Sequence, residues 1–209
     1  MAQLGFRLED VKVLLNSHAH YDHAGGLAEL KRLTGAKLMT SESDVALLAA
    51  GGKGDPNFGD RFAFEPVKPD RTLRDAEKVE LGGVTMVARM TPGHTKGCTS
   101  WTMKVREGEK DYDVVFVGST SAPGYKLVNN AGYPGIVADY EQTFKLLKSL
   151  PCDVFLAAHG SFYDMLEKAK LLEGAPKQNP FIDPAGYRQY LEESEKSFRK
   201  LLASQSQAP

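Results

Sequence analysis

The chain has 209 residues, 42% hydrophobic and 25% charged, with 26 Lys and Arg against 27 Asp and Glu for a formal net charge of -1. That length suits one domain, 1–209, able to bury a substantial core, and the balanced charge gives no case for a nucleic-acid or membrane-surface partner. No apolar run reaches membrane-spanning length, and Met1-Ala2-Gln3-Leu4-Gly5-Phe6-Arg7 lacks the apolar core of a signal peptide, so the chain as written is expected to be cytoplasmic, and periplasmic or secreted if a longer precursor exists.

In chain order, Val11 to Asn16 (VKVLLN) is an apolar run that predicts a buried strand, and 24–34 predicts an amphipathic helix through Leu27, Ala28, Leu30 and Leu33. A strand over 36–40 follows, then a short helix opened by Ser41 as its cap with Asp44 in the first turn. Gly51 to Asp70 is rich in Gly, Pro and Asp and carries Phe58, Phe62 and Phe64. A stretch of this length is expected either to be a lid, with Phe58 or Phe62 touching substrate, or an Ω-like structural loop. Strands over 77–81, 84–90, 98–106 and 112–118 predict a β meander. Helices over 138–149, 162–173 and 184–203 follow, with a strand over 153–157 between the first two and a polar tail over 203–209. The last helix carries Tyr187, Tyr190, Leu191, Phe198, Leu201 and Leu202 and reads as a packing element. Cys98 and Cys152 match no disulfide framework and no C-x-x-C zinc pattern, so they are expected to be two buried thiols. The layout is mixed α/β, with helices outside sheets and the histidine-bearing loops along one edge.

All five histidines fall at strand ends: His18, His20 and His23 after the first strand, His94 in Thr91-Pro92-Gly93-His94-Thr95, and His159 after Val154–Ala158. The first three form an H-x-H-x-D-H cluster with Asp22. In an extended stretch, residues two apart point the same way, so His18 and His20 can converge on one ion, whereas Asp22 and His23 follow the turn and point elsewhere. Four ligands facing two directions predict two metal ions, with His94 and His159 completing the sets. The plainer uses are a lone histidine as a satisfied polar residue and Asp22 as a helix N-terminal residue; the clustering favours ligation.

These residues resemble the metallo-β-lactamase superfamily, and within it the third subclass of metallo-β-lactamases. The resemblance rests on the His18–Gly26 cluster, on Pro92-Gly93-His94-Thr95 with Gly97 and Thr99-Ser100-Trp101, on Ser119–Tyr125 (STSAPGY), and on Leu150-Pro151-Cys152-Asp153-Val154 leading to His159. It implies an αββα sandwich with two zinc ions, His18, His20 and His94 on the first and Asp22, His23 and His159 on the second. Thioester hydrolases and phosphodiesterases of the superfamily bridge both metals with an aspartate after the strand matching Val114–Val117. Here that stretch reads Gly118-Ser119-Thr120-Ser121, without a carboxylate.

The activity so implied is opening of a β-lactam ring by a hydroxide bridging two zincs, with Asp22 both ligand and orienter of the nucleophile. Ser119 and Ser121 would bind the substrate carboxylate and Tyr125 would stabilise the oxyanion; Lys126 is a rival for the carboxylate, and the serines read alternatively as turn residues. The family also carries strands before the histidine cluster, so the N-terminal part of the first sheet is expected to be missing, leaving an uncovered sheet through which copies would self-associate. The competing expectations are hydrolysis of a lactone or thioester on the same site, and a truncated, non-catalytic metal-binding protein.

Overall fold

The computed structural model describes residues 5–174 and 176–207; Met1–Leu4 of the N-terminal stretch and Ala208–Pro209 of the expected tail lie outside them. A parallel sheet has the order β1 (Val13–Leu15), β2 (Lys37–Ser41), β3 (Arg71–Leu73), with Leu14 opposite Leu38 and Thr40 opposite Thr72. Parallel strands need a crossover, and between β1 and β2 it is α1 (Tyr21–Ala24) and α2 (Leu27–Thr34). After β2 a 3-10 turn over Glu42–Asp44 runs into α3 (Val45–Ala49).

The second sheet has five strands in sequence order: β4 (Lys78–Leu81), β5 (Val84–Met90), β6 (Thr99–Glu107), β7 (Lys110–Val117) and β8 (Val154–Ala157). The first four are antiparallel, as the meander predicts, and β8 joins β7 in parallel through α4 (Ile136–Ser149). α5 (Met165–Glu173) and α6 (Pro184–Ser206) follow.

Strand alternation sorts the side chains into layers. Val13 and Leu15 face inward with Met39, Met86, Met90, Trp101 and Phe116, forming the core between the sheets. Leu14 and Leu38 face outward onto Leu27, Ala28 and Leu48 of the first helical layer. Val115, Val117 and Phe155 meet Leu147, Tyr187 and Leu191 of α4 and α6. The result is the αββα sandwich. Among the described residues no helix is long and apolar enough to cross a membrane.

Several expected boundaries move, each for a local reason. The helix expected over 24–34 is two pieces, because His20 in extended conformation starts a single turn, Tyr21–Ala24, before α2 begins at Leu27. β3 falls where no strand is predicted; three residues are too few for a period to register. The helix expected over 162–173 starts at Met165, after a 3-10 turn over Gly160–Phe162 and a left-handed Asp164. The polar tail is helical through Ser206, since Gln205 is an anchor: its Oε1 accepts from the Leu127 N–H at 2.7 Å and its Nε2 donates to the Tyr125 carbonyl at 2.6 Å. Both cysteines are free, Cys98 buried and Cys152 half-buried.

The two sheets are joined at the edge that carries the histidines. The Thr99 N–H donates to the Ser17 carbonyl at 2.7 Å and Trp101 Nε1 donates to the Asn16 carbonyl at 3.1 Å, locking the exit of β1 onto the start of β6. Behind them Asp44, 1% exposed, accepts from the Gly97 N–H at 3.1 Å and from Thr95 Oγ1 at 3.4 Å. Ser41 Oγ donates to the Gly97 carbonyl at 2.7 Å. A Cβ on Gly97 would overlap Ser41 Oγ and the Asp44 carboxyl, so Gly97→Ala is expected to cost about 1–3 kcal/mol, seen as a lower urea midpoint; an unchanged midpoint refutes this close packing.

Burial pushes the Asp44 carboxyl up to about 6, above the roughly 3.9 of an unfolded aspartate. Between those values the folded protein holds a proton that the unfolded chain has released, so this group makes stability fall as pH rises through about 4 to 6, by at most about 3 kcal/mol. Urea melts of the chelator-treated protein across that window should show the wild type losing stability relative to Asp44→Asn as pH rises. Parallel pH profiles would refute the shift.

Candidate metal centre

His18 and His20 follow the exit of β1, His20 in extended conformation at the entrance to α1, and the one-turn α1 carries Asp22 and His23. His94 is aimed by the loop after β5, where Gly93 has φ 132 and its missing side chain makes room for the Tyr140 ring, 2.8 Å from where a Cβ would stand. His159 comes from the end of β8, at the entrance to the 3-10 turn. Five histidines from three separate loops thereby meet.

Two groups form. His18, His20 and His94 bring one ligand atom each within 4.8 Å of one another, and so do His18, Asp22 and His23. His159 joins the second group, its Nε2 3.1 Å from His23 Nε2 and 3.6 Å from Asp22 Oδ2, which is itself 3.3 Å from His23 Nε2. The six residues singled out in the sequence are thus in one place, and His18 is shared between the two groups.

Proton placement shows what the first group lacks. His94 Nδ1 lies 2.7 Å from the Ser121 carbonyl, which can only accept, so Nδ1 carries the proton and Nε2 a lone pair. His20 Nε2 lies 3.2 Å from the Asp55 carboxylate, so it donates and leaves Nδ1 bare. These two bare nitrogens face each other across 3.1 Å, and His18 Nε2 beside them is buried without a hydrogen-bond partner. Facing lone pairs repel and an orphaned buried nitrogen is costly; a cation between them answers both. Burial pushes His94 down to about 3 and His18 well down, and burial also lowers His23, so these imidazoles stay neutral, the form that ligates. A donor set of neutral imidazoles with one carboxylate suits zinc. Burial pushes both thiols up to about 12, and neither lies in the cluster.

A cleft of about 330 Å³ adjoins the cluster, lined by Asp22 and His159 together with Tyr21, Phe58, Phe62, Ser121 and Pro123. A larger cavity of about 710 Å³ between α5, α6 and Thr120–Pro123 is lined by no histidine. Of the three substrate candidates, only Ser121 lines the cleft. Ser119 is buried with its Oγ 3.1 Å from Ser121 Oγ, and Tyr125, 1% exposed, stacks on His94 with its hydroxyl 3.3 Å from Nδ1. Lys126 is exposed and does not line it. Asp55 went unrecognised in the sequence; the available signal was an acidic residue opening the Asp55-Pro56-Asn57 turn. Burial would raise its carboxyl, and hydrogen bonds from His20 and from the Asn57 and Phe58 N–H groups outweigh that and hold it below the usual range.

Comparison with known proteins gives concordant results. The structure superposes on the native FEZ-1 metallo-β-lactamase from Legionella gormanii with a TM-score of 0.96 and 42% identity, over 99% of this chain and 80% of that one. With the class B3 di-zinc metallo-β-lactamase LRA-12 from an Alaskan soil metagenome the TM-score is 0.85 at 36% identity, over 95% and 76%. The hydroxyacylglutathione hydrolase GloC of Haemophilus influenzae is 26% identical over 184 residues, covering 83% of this chain and 77% of that protein. Other curated relatives match over 124 residues, and the chain spans 40% to 52% of their length. The family described as the metallo-beta-lactamase superfamily matches residues 1–159, a span that contains every histidine and Asp22. The chain belongs to the metallo-β-lactamase superfamily, and its fold is that of the B3 metallo-β-lactamases.

Proposed function

We propose that this protein is a dinuclear zinc hydrolase that opens the β-lactam ring. The observation that carries the proposal is the pair of adjoining groups of candidate ligands beside the cleft, and the resemblance that puts Ser119 where other branches of the superfamily carry a bridging aspartate supports it. His18, His20 and His94 would hold one ion and Asp22, His23 and His159 the other. When bound there, zinc supplies Lewis acidity and a water whose pKa is brought to about 7.

The chain's own groups supply orientation. The Asp22 side chain is 57% exposed toward the cleft, so one carboxylate oxygen can ligate while the other accepts a hydrogen bond from the attacking water. The Ser121 hydroxyl donates to the substrate carboxylate, and Ser119, behind it, sets that hydroxyl's direction. Tyr125 and the Ser121 carbonyl fix the His94 ring from the rear. Phe58 and Phe62 exclude bulk water from the bound amide, which strengthens each polar contact inside.

Thioester hydrolysis is the second reading, supported by the similarity to GloC and opposed by the missing carboxylate at Ser119. Nitrocefin and a hydroxyacylglutathione, assayed side by side with added zinc, separate the two: turnover of the thioester alone overturns the β-lactam reading, and turnover of neither overturns both.

Purified protein should bind about two zincs per chain. His94→Ala should impair one site and Asp22→Ala the other, and a stoichiometry that never exceeds one under zinc excess refutes the dinuclear assignment. Ser121→Ala should raise KM for nitrocefin a few-fold to about tenfold with kcat little changed, the loss of about one hydrogen bond made in the ground state. An unchanged KM returns Ser121 to turn chemistry.

A further inference from the structure

The loop between α3 and β3 lowers one carboxylate onto the cluster. Asp55 is 7% exposed, and its two oxygens have separate tasks. Oδ2 accepts the His20 Nε2–H at 3.2 Å, and Oδ1 accepts the N–H groups of Asn57 and Phe58, each at 2.8 Å. Reciprocal backbone bonds between Asp55 and Gly59, at 3.2 and 2.9 Å, close the turn on itself. The turn carries Phe58, whose ring stands edge-on to His20 at 5.3 Å and to Tyr125 at 5.6 Å, with Phe62 a further 5.4 Å away. A single side chain therefore connects the cleft's aromatic wall to a ligand of the first metal group.

We propose that Asp55 is a positioning residue of the centre: one oxygen holds the His20 proton on Nε2, keeping Nδ1 free for the metal, while the other folds the Asp55–Gly59 turn that presents Phe58 to the cleft. A neutral imidazole has one N–H to place, and a carboxylate, which can only accept, decides where it goes. Groups behind metal-bound histidines act in this way, and their loss weakens metal binding about 10- to 100-fold. The inference rests on the metal-centre reading above, but its first consequence is visible without metal.

The substitution Asp55→Asn makes the claim sharp. An amide oxygen aimed at the two turn N–H groups keeps the loop folded and turns its NH2 toward His20 Nε2. Two donors cannot face each other, so the imidazole proton must move to Nδ1, where an N–H would point at the metal position. Asp55→Ala instead frees both the loop and the imidazole, and water can satisfy Nε2.

Two measurements test this on the 209-residue chain. In the zinc-free protein, long-range ¹H–¹⁵N spectra of the imidazoles should show His20 as the Nε2–H tautomer in the wild type and as Nδ1–H in Asp55→Asn. Competition with a chelator should show one zinc site weakened about 10- to 100-fold in Asp55→Asn and less in Asp55→Ala. Limited proteolysis should rank them oppositely, the 51–70 loop being cut fastest in Asp55→Ala. An unchanged His20 tautomer in Asp55→Asn, or equal zinc affinity in the three proteins, overturns the proposal. Fewer than two zincs on the wild type would overturn the dinuclear reading and leave the tautomer test standing. Thermal melts of the zinc-free variants separate local effects from loss of fold, and a normal melt with unchanged zinc affinity also counts against Asp55.

Discussion

The arrangement depends on nitrogen lone pairs held together by groups that cannot take them apart. The Ser121 carbonyl claims the proton of His94, the Asp55 carboxylate claims that of His20, and the resulting bare nitrogens face each other at 3.1 Å beside the orphaned His18 Nε2. Left in water, three imidazoles would separate or protonate; burial denies them both. That penalty is borne by the sandwich, whose two sheets are fastened at this edge by the Thr99–Ser17 and Trp101–Asn16 bonds. The preorganisation is thus a property of the fold, and the free energy of a bound cation feeds directly into the stability of that edge.

Two buried aspartates near the cluster show how donors set the state of one residue type. Asp44 sits behind the ligand loops at full burial, and desolvation prevails over its hydrogen bonds from Thr95 and Gly97. Asp55 is less deeply placed, and its bonds from His20 and two turn N–H groups prevail over desolvation. Asp44 ties the start of α3 to the loop that carries His94, while Asp55 ties His20 to the loop above. Neither is in a metal-ligand group, yet both fix the angles at which ligands arrive.

The clustering of the candidate ligands was legible in the sequence because its pattern is local: an H-x-H-x-D-H spacing falls on a strand-to-helix loop. The layers were legible too, since Val13, Leu15 and Phe116 alternate with Leu14, Val115 and Val117 at the period of a strand. Legibility ended where long-range contacts decide. Nothing near Asp55 shows that it meets His20, 35 positions away. Nothing near Tyr125 shows that its hydroxyl turns toward the rear of His94 and away from the cleft wall, and only the tertiary partners of Gln205 explain why a polar tail stays helical. Three-residue β3 is paired because β2 offers a free edge, a cause outside its own residues.

The absent bridging carboxylate has a consequence for substrate class that follows from charge alone. A donor set of neutral imidazoles and one aspartate would leave two dications with a large positive excess, and a second carboxylate at position 119 would have reduced it. With Ser119 there, the excess favours an anionic ligand in the cleft, and Ser121 supplies an uncharged donor that can orient a carboxylate without adding to the repulsion among the cations. A β-lactam presents its carboxylate close to the scissile amide, whereas a glutathione thioester carries its carboxylates farther from the reacting carbonyl. Charge alone admits either anion, so under the proposed reading the choice between them rests on the cleft of about 330 Å³ lined by Phe58 and Phe62.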